Sequence, residues 1–196
     1  VQLGWIKTAI MGTKANKIMI EEEKWVEEEL PGTGDQLFLR EARMVADEIL
    51  SKLVFSKSRD KASLLSLNPT GEGTWSVGPA SQGLYDGLGG ISLFFLYMWK
   101  ETQEEKYKVA AEASLRSAMQ PMVEGKGLIS AFTGPFSLLY PLVHFQKHMN
   151  HEEFESKISE LKERLRLSVK KDEVFDFLGG AAGVSFVLMN AYEVSN

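Results

Sequence analysis

The sequence predicts an all-α fold, an incomplete α/α toroid of three outer–inner helix pairs. Three observations predict it. Glycine-rich helix starts recur at Asp86-Gly87-Leu88-Gly89-Gly90-Ile91, Thr133-Gly134-Pro135-Phe136-Ser137-Leu138 and Gly179-Gly180-Ala181-Ala182-Gly183-Val184. With Gly87, Gly134 and Gly180 as anchors, the steps are 47 and 46 residues. Each anchor opens an apolar run, and an amphipathic stretch precedes each one. A fixed period with one buried helix per unit describes a curved array of helix pairs.

Residues 1–36 fall outside the repeat and read as a linker or N-terminal extension. Glu21-Glu22-Glu23 and Glu27-Glu28-Glu29 flank Trp25, and Pro31-Gly32-Thr33-Gly34 breaks the chain after them. The repeat domain is expected over 37–196. From Leu37, the residues Leu37, Phe38, Ala42, Val45, Ala46, Ile49, Leu50, Leu53 and Val54 form one apolar stripe with helical period. Residues 56–83 contain Asn68-Pro69-Thr70-Gly71 and Gly78-Pro79 and read as a long loop.

The run Ile91–Trp99 is apolar nearly all round, which argues burial on every side. An amphipathic helix follows from about Glu105 to Met122. Its Ala110, Ala111, Ala113 and Ala118 suit close helix approach. The second apolar run, Phe136–Phe145, contains Pro141, which is expected to kink it. A third amphipathic helix runs from about Glu152 to Val169, with Phe154, Ile158, Leu161 and Leu165 on one face. The run Val184–Tyr192 closes the chain. Helices with one wet face belong outside, and helices with none belong inside. The glycine turns should then line one end of the ring's centre, where helix N-termini favour anionic groups. An unclosed arc would leave the flanks of the first and third inner helices bare, which predicts self-association or a complementary chain.

Composition narrows the function. The chain has 196 residues, a net charge of −5 and no basic stripe, which argues against nucleic acid as a partner. The absence of cysteine excludes disulfides and thiolate metal ligands. No signal peptide or spanning stretch is visible, so a cytoplasmic protein is expected. The ends at Val1 and Asn196 read as cuts in a longer protein.

Several residues could carry chemistry. Asp176 and Asp86 stand at helix starts, where each could cap the following helix. Asp86 could also be a second acid, but the cap is the expectation. His144, His148 and His151 fall at i, i+4 and i+7, a spacing that could hold a metal. However, His144 ends an apolar helix and the other two enter a charged turn, so no native metal site is expected. Glu124-Gly125-Lys126-Gly127 is too short for a phosphate loop. Trp75, Trp99 and Tyr97 read as core or loop anchors.

Leu84-Tyr85-Asp86-Gly87-Leu88-Gly89-Gly90-Ile91-Ser92-Leu93-Phe94 resembles the first inner-helix motif of the lanthionine synthetase C-like family. The likeness is greatest to the cyclase domain of two-function, type II (LanM) lanthipeptide synthetases. Ser130-Ala131-Phe132-Thr133-Gly134-Pro135-Phe136-Ser137-Leu138-Leu139-Tyr140 resembles the second motif. Phe175-Asp176-Phe177-Leu178-Gly179-Gly180-Ala181-Ala182-Gly183-Val184 resembles the third. The likeness covers roughly Leu37 to Asn196, in family order.

The resemblance implies an α/α toroid that acts on a precursor peptide. It implies addition of a cysteine thiol to dehydroalanine or dehydrobutyrine, giving a thioether. It also implies a zinc ion held by two cysteines and a histidine in later repeats. This chain carries the front half only, so it is expected to hold no cofactor and to be inactive alone. The family's acid/base aspartate falls on Asp176. The motif glycines fall on Gly87, Gly90, Gly134, Gly180 and Gly183. Phe136 departs from the family's usual glycine and is expected to narrow or distort the ring centre. A non-catalytic helical module that binds peptide or completes a partner's ring is the alternative.

Overall fold

The computed structural model describes residues 34–71, 73–120 and 129–195. The acidic stretch before Gly34 and the Glu124–Gly127 segment lie outside them. In chain order the elements are α1 (Gly34–Lys52), β1 (Val54–Phe55), β2 (Ala62–Ser63), β3 (Leu65–Gly71), β4 (Thr74–Pro79), α2 (Leu88–Thr102) and α3 (Glu105–Ala118). A 3₁₀ turn, Pro135–Leu138, leads into α4 (Leu139–Met149). Then come α5 (Glu152–Ser168), a second 3₁₀ turn (Val169–Lys171) and α6 (Ala181–Ser195).

The alternation holds. Inner helices α2, α4 and α6 pack in sequence order, α2 on α4 and α4 on α6. The tightest pairs join an inner helix to the outer helix that follows it, α2 to α3 and α4 to α5. Short turns make these pairs. Gln103 (φ 59°) and Asn150 (φ 50°) take the left-handed conformation that ends α2 and α4. Glu152, Glu153 and Glu155 then sit in the first turn of α5, where the helix dipole favours negative charge.

Packing follows the apolar stripes of α3 and α5; on α1 Ala46 is buried, but Phe38 and Val45 of the expected stripe are exposed and Val54 lies in β1. Ala110, Ala111, Ala113 and Ala118 are buried and let α3 lie close on α2. Tyr107 stacks on Phe95, and Phe145 meets Phe154 edge-on at 5.5 Å. The Tyr107 hydroxyl donates to Asp47 at 2.8 Å, and Lys106 pairs with Asp47 at 2.7 Å. These bonds tie α1 to α3. They also hold the Asp47 carboxyl below its usual range, with the Lys106 bond as the largest cause.

Four expectations need correction. First, residues 56–83 are not one loop. They contain the antiparallel ladder β3–β4, and β2, which pairs with β1 just before them. In the longer ladder Leu67 pairs with Val77 and Pro69 with Trp75. The Leu65, Leu67 and Trp75, Val77 alternation is the strand signal, obscured by the Pro and Gly around it. A two-stranded sheet tolerates Pro69 because each strand has a free edge. Second, the run Phe136–Phe145 is not one α-helix: its first three residues belong to the 3₁₀ turn, and Pro141 follows soon after. That proline is the third residue of α4, within the first turn, whose N–H groups have no intrahelical partner. Third, the second amphipathic helix ends at Ala118, not Met122. Fourth, the flank of the first inner helix is covered: only Lys100 and Glu101 of α2 are exposed. Among the described residues of the inner helices, the bare flank is on α6, where Phe186 is 52% and Met189 65% exposed. Phe136 is buried in the core. Among the described residues, no helix is long and apolar enough to cross a membrane.

Candidate functional site

The three glycine turns meet. Leu84 and Tyr85 donate their backbone N–H groups to the Phe132 carbonyl, at 2.9 and 3.2 Å. Those bonds join the first turn to the second. Ser130 joins the second to the third: its hydroxyl donates to the Leu178 carbonyl at 2.6 Å. The same oxygen accepts from the N–H groups of Phe132 and Thr133, both at 3.1 Å. Phe132 and Phe177 meet across the seam as a tilted ring pair with centroids 5.6 Å apart. The N-terminal ends of α2, α4 and α6 thus share one laced platform.

The glycines are explained by that lacing. Gly134 has φ 71°, a left-handed conformation that side chains resist. A Cβ on Gly87 would stand 2.4 Å from the Ser81 carbonyl, and one on Gly90 would stand 2.3 Å from that of Leu84. On Gly180 it would meet the backbone nitrogens of Phe175 and Asp176 at 2.6 Å. On Gly183 it would meet the Phe177 carbonyl at 2.0 Å. In the first and third turns the backbone approaches to a distance that excludes a side chain.

The aspartates do not cap their helices. Gly87 is the N-cap of α2 and makes no side-chain cap bond. The N–H groups of Leu88 and Gly90 go to the carbonyls of Ser81 and Gly83. Asp86 is exposed and accepts from the Ser81 hydroxyl at 3.0 Å. Asp176 is exposed too, and accepts from the N–H of Gly179, before the helix begins. The residue that holds the first N–H of α6, that of Ala181, is Asp172, at 2.7 Å. Sequence reasoning missed it, although Asp followed by N–H groups two and three residues on is a turn signature. The Ala181 bond is the main reason its carboxyl lies below the usual range.

The histidines part company. The His144 ring nitrogen Nδ1 lies 2.6 Å from the Tyr97 hydroxyl, and the His148 ring meets Tyr97 edge-on. Burial pushes His144 below the ordinary imidazole value, and the positive charges of His148, Lys147 and Lys100 add to this. His151 instead faces Glu112, 3.6 Å away. Tyr97 and the half-buried Trp99 are anchors, while Trp75 lies on β4.

The family's zinc does not fit this donor set. The chain has no cysteine, and no three metal-binding side chains come together among the described residues. Two clefts, of about 220 and 250 Å³, lie between α5 and α6 and beside β2, and neither Asp86 nor Asp176 lines them.

The comparison with known families agrees with this platform. A search of curated proteins returned no match. The model of the family described as lanthionine synthetase C-like protein matches residues 78–196, which contain all three turns and every inner helix. A match over more than half of the sequence, centred on the motifs that build the platform, assigns the chain to the lanthionine synthetase C-like family.

Proposed function

We propose that this chain is the front part of the cyclase domain of a type II lanthipeptide synthetase, and that it works in lanthipeptide maturation in the cytoplasm. In our reading the domain includes α1 and the two hairpins as well as the matched residues. The reaction is addition of a peptide cysteine thiol to dehydroalanine or dehydrobutyrine. The sulfur forms a bond to the β-carbon, the double-bond electrons move to the α-carbon as an enolate, and a proton then neutralises the α-carbon. The exposed Asp176 carboxylate is suited to take the thiol proton or to deliver one to the enolate. The observation that carries this reading is the gathering of the three turns, with Asp176 on their rim.

The chain contributes scaffold, part of the peptide-binding end and one acid/base group, and is inactive alone. The zinc of the complete domain is bound by later repeats. The test is a polypeptide in which those repeats follow this chain, given a dehydrated peptide with one cysteine. Ring closure is read by loss of thiol alkylation in mass spectrometry. Asp176→Asn should slow closure by about 100-fold or more. Closure within about twofold of the parent would remove Asp176 from the chemistry.

The bare face of α6 favours a second reading. Phe186 and Met189 stand exposed on a helix that packs on α4. A non-catalytic module that completes its ring with a partner, or with another copy, would cover them.

A further inference from the structure

We propose that Asp172 is a positioning residue for Asp176: its buried carboxylate closes the loop 173–180 into a ring that presents the Asp176 carboxylate outward. The proposal rests on the acid/base reading of Asp176 for its functional meaning, and on geometry for everything else.

The two oxygens of Asp172 hold three N–H groups. Oδ1 accepts from Val174 at 3.3 Å; Oδ2 accepts from Phe175 at 3.2 Å and from Ala181 at 2.7 Å. Val174 and Phe175 open the loop, and Ala181 is the first residue of α6. One carboxylate therefore ties both ends of the loop together. Asp172 is buried, whereas Glu173 to Leu178 are exposed. Those exposed residues need an internal brace.

Three further features fix where Asp176 stands inside that ring. Phe175, its chain neighbour, has φ 56°, a left-handed conformation that a bulky residue adopts only when held. The two Asp172 bonds at Val174 and Phe175 hold it. Gly180 lies under the backbone nitrogens of Phe175 and Asp176. On the far side, Ser130 holds the Leu178 carbonyl. With the helix start served by Asp172, Asp176 uses Oδ1 for Gly179, and Oδ2 makes no hydrogen bond to the described residues. Two aspartates four residues apart divide the work. The inner one braces, and the outer one presents a carboxylate to whatever binds the platform.

Amide hydrogen exchange on the chain tests this, read at Ala181 and Gly179. Ala181 reports the Asp172 bond, and Gly179 reports the Asp176 bond. Asp172→Ala should lower protection at Ala181 by about tenfold or more, and lower Gly179 with it, although Asp172 makes no hydrogen bond to Gly179 or Asp176. Asp176→Ala should lower Gly179 and leave Ala181 protected. Asp172→Asn keeps a carbonyl oxygen for Phe175 and Ala181 and should restore most of the Gly179 protection. A residue that merely caps α6 would not move Gly179. If Asp172→Ala does not fold, Asp172→Asn and Ser130→Ala decide the question, since Ser130→Ala removes the Leu178 brace and should also expose Gly179. Unchanged Gly179 protection in Asp172→Ala, or equal losses at Ala181 in both aspartate variants, would overturn the proposal. Failure of Asp176→Asn to slow ring closure would remove the catalytic reading and leave the exchange results standing.

Discussion

The Ser130 hydroxyl reaches the Leu178 carbonyl at 2.6 Å across 48 residues of sequence, joining the second glycine turn to the third. The same oxygen closes its own turn by accepting from Phe132 and Thr133. One fully buried side chain thereby serves three backbone groups.

Replacing it should be costly. Ser130→Ala leaves two N–H groups and a carbonyl without their partner, and should destabilise the chain by about 1–3 kcal/mol. Urea denaturation measures this. A loss below about 0.5 kcal/mol would mean that water replaces the hydroxyl without penalty.

The motif glycines should rank by what surrounds them. Gly90→Ala and Gly183→Ala each place a Cβ against a carbonyl oxygen, at 2.3 and 2.0 Å, on backbone that cannot swing aside. Both should cost about 2–4 kcal/mol. Gly73 has φ 74° but open space around it, so Gly73→Ala should cost about 1 kcal/mol. Equal melting temperatures for the three variants would contradict the close-approach explanation.

Stability should fall in two steps with acid. The folded-state value of His144 lies below its unfolded one, because burial disfavours the charged ring. A lowered folded value means that the contribution is complete above about pH 6.5 and is lost as pH falls through the folded value. Asp172 is also lowered, by its backbone hydrogen bonds. Its contribution is complete above about pH 4 and is lost below that. Chemical denaturation between pH 8 and pH 3 should show both limbs, with His144→Phe flattening the first and Asp172→Asn the second. A profile that neither variant changes would show that other groups govern acid stability.

The α6 face predicts association. Phe186→Lys and Met189→Lys place charge on the exposed apolar flank. Sedimentation velocity should show concentration-dependent association in the parent and a monomer in the double variant. A parent that stays monomeric throughout would count against a flank awaiting cover.

Much of the fold was legible because helical period carries it. The Leu37, Glu105 and Glu152 stripes gave the outer helices, and the apolar runs after Gly87, Gly134 and Gly180 gave the inner ones. The hairpin at Leu65–Pro79 was hidden because Pro69, Gly71, Gly73 and Gly78 outweigh a short alternation. Of the site, the glycines and Asp176 were visible as motif positions. Asp172 and Ser130 were not, because their partners Ala181 and Leu178 lie 9 and 48 residues away. The sequence suggests a capping role for Asp86 and Asp176 because proximity to a helix start is all that a sequence displays. The backbone of Ser81 and Gly83, and the side chain of Asp172, already fill it.

The proposed function depends on the three turns gathering at one end of the inner helices. The absence of cysteine allows nitroxide labels at Tyr85→Cys and Leu178→Cys, both exposed positions, on the first and third turns. A helix of 15 residues, such as α2 or α6, spans about 22 Å, so turns at opposite ends could not lie close. Pulsed electron resonance should give one narrow distance population shorter than that length of about 22 Å. A broad distribution, or one centred beyond about 30 Å, would contradict the platform and the function built on it.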